Sequence, residues 1–252
     1  MDAIDKAIDY LKVKNDIKED IPLSKEDTLR GLMTITFPDD LTDDYYHNQD
    51  IVLKKYYKNI KIVDCNELKY DNNMALYKGD ITRIKADAIV TAGNSRLLGC
   101  FRPFHNCIDN AVFSFAGLQV RRDLMEIMKT KEYEENGKCE VTKGYNLPST
   151  YIFHTVGPEV TGQVTNQDII DLTNCYLSCL NKAQEMNLKS IVFCSIATGI
   201  YGFPIDLASK IAIDVVKKFL KNNKNIKVIF DVFSEKDCDV YEQTFREIVK
   251  GI

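Results

Sequence analysis

From residue 74 onward six short apolar runs punctuate the chain: "MALYKG", "DAIVTA", "KCEVTKG", "TYIFHTVG", "KSIVFCSI" and "IKVIFDVF". Helical patterns over about 107–129, 166–187, 205–222 and 237–249 separate most of them. Two strands joined through a helix cannot close a tight hairpin, so this alternation demands parallel or mixed pairing with helices on both faces of a sheet. Ligands of such sheets gather at the carboxyl ends of the strands. The glycines and short polar residues cluster there: "GDI" follows the first run, "AGNSRLLGC" follows "DAIVT", and "ATGIYGFP" follows "KSIVFCSI".

The region before residue 70 has a different texture, acidic and helical rather than strand-like. Ile4, Ala7, Ile8 and Leu11 recur at helical spacing, and Ser24 stands where a cap belongs, three residues before Asp27 and ahead of a stripe of Leu29, Leu32 and Met33. The expectation is a helical N-terminal extension over 1–70, packed on an α/β body over 71–252. The stripe needs apolar cover that a short extension cannot supply by itself.

Charge and cysteine usage narrow the partners. With 33 basic against 37 acidic residues the net charge is −4, so no basic footprint for nucleic acid or an anionic membrane is expected. No apolar run reaches the roughly 18 residues of a membrane span, and "MDAIDKAIDYLKVKND" has acids where a secretion signal needs a basic start. Eight scattered cysteines without an export signal suit reduced thiols in a cytoplasmic protein rather than a disulfide framework.

Three groups of residues carry chemistry. In "ATGIYGFP", Gly199 and Gly202 allow turns that leave backbone N–H groups exposed near a helix start, a cradle for a diphosphate, although a plain strand-to-helix turn has the same look. Asp80, just past a strand end, suits an exocyclic amine such as that of adenine or equally a turn cap, and Phe233 suits stacking on a base or core packing. The stretch "GCFRPFHNCIDN" places Cys100, His105 and Cys107 as C-x4-H-x-C on a loop bent by Pro103. Three such donors suit zinc with one open position, completed if at all by His154 or another cysteine. A Cys–His nucleophile and a loop with incidental thiols are the competing readings of the same residues. Asn94, Asp109 and Asn110 surround the loop as groups that orient water or ribose hydroxyls, or that cap the next helix.

Taken in order, "YKGDITRIKADAIVTAGNSRLLGCFRPFHNCIDN", "YIFHTVGP" and "SIVFCSIATGIYGFP" resemble a macrodomain, the ADP-ribose-binding three-layer α/β/α module with a mixed central sheet. "LLGCFRPFHNCIDN" is similar to the zinc-containing microbial branch, whose members are protein mono-ADP-ribosyl hydrolases that often carry a helical N-terminal extension, to which "LSKEDTLRGLM" is similar. The resemblance implies that Asp80 and Ile81 bind adenine, with Phe233 bordering its pocket, and that Ser195, Thr198, Gly199, Ile200, Tyr201 and Gly202 wrap the diphosphate. It implies Cys100, His105 and Cys107 as zinc ligands against the distal ribose, with Asn94 contacting that ribose and Asp109 and Asn94 as catalytic residues. The substrate implied is a mono-ADP-ribosylated protein, most simply a carboxylate-linked ester, and a companion ADP-ribosyltransferase system is the typical partner. A non-catalytic ADP-ribose reader is the alternative. Thr91 and Gly93 replace the Asn and Ala usual before Asn94, Phe113 replaces a usual histidine, and Tyr77 a usual tryptophan.

Overall fold

The structure is a computed structural model and describes residues 1–250. Six strands form the central sheet in the order β2-β8-β7-β4-β6-β5. These are β2 (Met74–Lys78), β4 (Ala88–Gly93), β5 (Cys139–Lys143), β6 (Tyr151–Val156), β7 (Ser190–Phe193) and β8 (Lys227–Val232). Every pair is parallel except the edge strand β5, which runs antiparallel to β6. A two-residue pair, β1 (Val63–Asp64) with β3 (Ile84–Lys85), stands apart from it. The inner strands β4 and β7 read as continuous apolar runs because both of their faces are covered.

The helices are α1 (Ala3–Lys14), α2 (Lys25–Ile35), α3 (Asp43–Lys58), α4 (Ile108–Ala116), α5 (Gln119–Met128), α6 (Asn166–Glu185), α7 (Ile205–Leu220) and α8 (Glu235–Phe245). Strand register assigns them to layers. His154 pairs with Thr91 and faces the ring of Phe113 on α4, whereas Phe193 pairs with Val90 and faces Tyr176 on α6. Thr91 and Val90 are consecutive, so they point to opposite faces, and α4 and α6 lie on opposite sides of the sheet. Phe230, in register with Phe193, meets Tyr241 of α8, which places α8 with α6. This is a three-layer α/β/α arrangement, with the mixed central sheet that the resemblance implies and a helical segment ahead of it.

The helical pattern over 107–129 predicts one helix, and the structure has two. Gly117 breaks it with φ 103°, and a Cβ there would stand 2.5 Å from Nε2 of Gln49 on α3. Gln49 fills that space, accepting from Leu118 N at 2.9 Å and donating to Gln119 at 2.7 Å, while Asp50 accepts from Gln119 and Asn146. A buried amide network thus ties α3 to the α4–α5 junction, and Ala7, Leu11, Leu29, Leu32, Met33, Tyr45 and Leu53 close a second apolar cluster over Leu118. Ser24 caps α2, its hydroxyl accepting from Asp27 N. No helix among the described residues is long and apolar enough to cross a membrane.

Candidate functional site

The carboxyl end of β4 runs into a loop whose backbone is held in uncommon conformations. Leu97, Gly99 and Phe104 all have positive φ, at 55°, 84° and 59°. Gly99 is required there, since a Cβ would stand 2.9 Å from the Phe113 ring. The result brings Cys100, His105 and Cys107 together with all ligand atoms within 4.8 Å of one another, Cys100 Sγ lying 3.5 Å from His105 Nδ1. Bonds of about 2.3 Å from sulfur and 2.0–2.1 Å from imidazole nitrogen span such a separation, so the donor set fits a zinc ion. His154 does not join them. It is a core residue, 2% exposed, bonded to Thr142 Oγ1 at 2.8 Å, and burial holds its pKa down to about 3. Burial pushes the Cys107 thiol up to about 12, the reverse of what a free nucleophilic thiolate needs.

Cys107 also caps α4, its sulfur accepting from Asn110 N, so the last ligand and the helix start are one structural unit. Asp109 follows in the first turn. It is 7% exposed and packs on Gly93, where a Cβ would stand 3.2 Å from its Oδ1. Glycine in place of the usual alanine therefore leaves room for this carboxylate. Burial pushes the Asp109 carboxyl up to about 7, with the Arg121 guanidinium pulling it the other way. Asn94 lies at the mouth of the loop, donating to Gly99 O at 3.4 Å and accepting from Arg96 N.

The loop after β7 supplies the second element. Ala197 and Gly202 take positive φ, Phe203 N bonds Ala197 O, Gly202 N bonds Gly199 O, and Tyr201 O accepts from Val160 N. Among the described residues none of the backbone N–H groups of Thr198, Gly199, Ile200 and Tyr201 has a backbone acceptor. Four such donors near the start of α7 have the chemistry to receive an anion. Thr198 Oγ1 bonds Ser195 Oγ at 2.9 Å, and Ser195 in turn meets the Tyr241 hydroxyl at 3.3 Å, which fixes the near wall. Ile200 on the outer wall is exposed.

At the β2 end, Asp80 performs a turn-cap role: Oδ1 accepts from Thr82 N and Oγ1, and Oδ2 lies 3.1 Å from Arg83 Nε. Ile81 beside it is buried, while Phe233, just past β8, is 72% exposed, as a stacking platform would be and a core residue would not. Pattern reading missed Asp231. It is buried opposite Tyr77 with Oδ1 unpartnered, and burial, then the Asp80 charge, raises its pKa well above the carboxylate range. An acid whose folded pKa lies above its unfolded value stabilises the fold below the unfolded pKa, and that contribution is lost as pH rises through the folded one. Asp231→Asn is thus expected to gain stability over the wild type as pH rises above the unfolded carboxylate value of about 4 in urea unfolding, and a pH-independent difference would contradict the raised pKa of the buried acid.

The Macro domain family model matches residues 90–212. A protein from Staphylococcus aureus (strain MRSA252) named Protein-ADP-ribose hydrolase is 42% identical over 236 residues, covering 90% of this chain and 88% of that protein. Among solved structures, the Oceanobacillus iheyensis macrodomain with ADP superposes with a TM-score of 0.67 at 32% identity, over 73% of this chain and 97% of that one. The Trypanosoma brucei macrodomain in complex with ADP-ribose gives 0.65 at 29% identity, over 90% and 96%.

Proposed function

Since the chain belongs to the macrodomain family, we propose that it is a zinc-dependent hydrolase that releases mono-ADP-ribose from modified proteins, acting on carboxylate-linked esters. The observation that carries this reading is the placement of a buried acid, Asp109, against Gly93 at the carboxyl end of β4, in the first turn of the helix that Cys107 of the Cys100–His105–Cys107 group caps. A reader module needs no such acid, and relatives named Protein-ADP-ribose hydrolase at 40–42% identity favour turnover over binding alone.

In this reading adenine meets Asp80 and Ile81, with Phe233 stacked on its exposed side. The diphosphate takes the four free N–H groups of the 198–201 turn, which explains how a net acidic chain holds an anion without a lysine. That threading carries the distal ribose to Asn94 and the metal loop. Cys100, His105 and Cys107 would hold zinc, which when bound would supply Lewis acidity there. Asp109, with its pKa near 7, is placed to orient a water and take its proton at the carboxylate oxygens packed on Gly93. The water oxygen bonds to C1″ of the ribose as its proton passes to Asp109, the C1″–O bond to the protein carboxylate breaks, and the products are ADP-ribose and a free carboxyl group on the protein, which takes up the proton. An ADP-ribosyltransferase must supply the substrate. All eight cysteines are free thiols, which suits the cytoplasm.

The deciding experiment incubates the protein with carboxylate-linked and serine-linked mono-ADP-ribosylated proteins, with and without chelator, and measures ADP-ribose released. Release from the carboxylate substrate that chelator abolishes is the expected result. ADP-ribose bound without release makes the protein a reader. For the binding half, Asp80→Ala is expected to weaken ADP-ribose by about tenfold or more, since a lost hydrogen bond to a charged group costs roughly 1.5–3 kcal/mol. Calorimetric titration indistinguishable from wild type removes adenine from this corner.

A further inference from the structure

The loop that carries the zinc donors is gripped by α5 of the α/β body together with α2 of the N-terminal segment. Arg121 of α5 is 1% exposed, and its donors go to three backbone carbonyls from two distant parts of the chain. Nε donates to Leu98 O at 2.8 Å, at the entry of the loop, while Nη1 donates to Met33 O at 3.0 Å and Thr36 O at 2.6 Å, at the carboxyl end of α2. Its guanidinium lies 4.3 Å from the ring centre of Phe101, the residue after Cys100, and that ring stacks on Phe37 at 4.8 Å.

Two further contacts reach the rest of the loop from the same helix. Arg30 donates to Asn110 Oδ1 at 3.3 Å, and Asn110 holds Arg102 O and the Cys107 sulfur. Gly31 faces the Phe104 ring at the loop tip. Residues 30–37 therefore touch the loop at Phe101 and at Phe104 and brace its end through Asn110.

Such a grip has physical work to do. Positive φ at Leu97 and Phe104 is unfavourable for residues with a Cβ and persists only where the surroundings impose it. A planar guanidinium with donors in a fixed fork imposes more than a single ammonium can, and the carboxyl end of a helix attracts its charge. Because α2 is capped by Ser24 and buried through Leu29, Leu32 and Met33, it is a firm anchor.

We propose that Arg121 is a positioning residue for the metal centre, coupling the end of α2 to the 98–107 loop so that Cys100, His105 and Cys107 are preset to receive one ion. The inference rests on the zinc reading for its purpose, but not for the ordering of the loop.

The test uses the full chain with Arg121→Lys, which keeps the charge and loses the fork, and Phe37→Ala, which removes a half-exposed ring and leaves Arg121 in place. Hydrogen exchange is measured on chelator-stripped protein for residues 98–107 and, as an internal reference, 79–84. Zinc affinity is measured by competition with a chromophoric chelator. Arg121→Lys is expected to exchange at least about tenfold faster in 98–107 and to bind zinc at least about tenfold more weakly, with 79–84 unchanged. Phe37→Ala is expected to shift both in the same direction by about threefold, and it decides the matter alone if Arg121→Lys does not fold. Unchanged exchange in 98–107, or an equal rise in 79–84, overturns the proposal by showing either no grip or only general destabilisation. A wild-type chain that binds no zinc sinks the metal reading, while the exchange comparison still judges the grip.

Discussion

Replacing Asp109 by alanine is expected to slow single-turnover release of ADP-ribose by about 10²–10⁴-fold, the range of a lost general base, with zinc content and ADP-ribose affinity held within about threefold. The separation follows from where the carboxylate sits. It packs on Gly93 and belongs to the helix that Cys107 caps, yet it is not among the three grouped donors, so truncation leaves the ion's cage intact. Burial already disfavours its charged form, which means that removing it does not strip a strong ion pair from the fold. Asp109→Asn keeps the shape and cannot take a proton, and it is expected to share the loss. Single-turnover rates for Asp109→Ala within about threefold of wild type would show that the acid is structural and the proton goes elsewhere.

His105→Ala is expected to reduce zinc from about one ion per chain to a small fraction, and to lower hydrolysis by a comparable 10²-fold or more. Two thiols remain, but losing one of three protein ligands leaves the ion with two, short of the three that catalytic zinc sites keep. Chelator gives this prediction its edge. Stripped wild type is expected to fall to the residual rate of His105→Ala, and adding chelator to the variant is expected to change nothing further, because both treatments remove the same interaction. Metal analysis and rates on the same preparations read both halves. A fully metallated His105→Ala, or a metal-free wild type that turns over normally, ends the zinc mechanism in favour of a metal-independent macrodomain or a reader.

Much of the architecture was legible because it is written in short-range patterns. The six strands of the main sheet are runs of four to six residues at the predicted places, since β-rich apolar stretches bounded by Gly, Asn and Asp have few other solutions. The grouping of Cys100, His105 and Cys107 was legible for a related reason: three donors within eight positions on a Pro-bent loop have little room to separate. The cradle at 197–204 likewise declares itself through glycines that permit positive φ.

What the sequence alone determined, then, is the set of strands, the helical character of the N-terminal segment and the loops that carry polar chemistry, all consequences of interactions between residues close along the chain. Tertiary structure decided the rest. Arg121, on a helix where a charged residue ordinarily faces water, is instead among the largest fully buried side chains, because carbonyls some 85 to 88 positions away in α2 meet its guanidinium. The break at Gly117 exists because Gln49, remote in sequence, occupies the space a Cβ would need. The pKa of His154 is held down to about 3, that of Asp231 is raised well above the carboxylate range and that of Asp109 is raised to about 7 because of desolvation by packed neighbours. Desolvation is a property of the filled volume around a group, and no local pattern of residues specifies that volume.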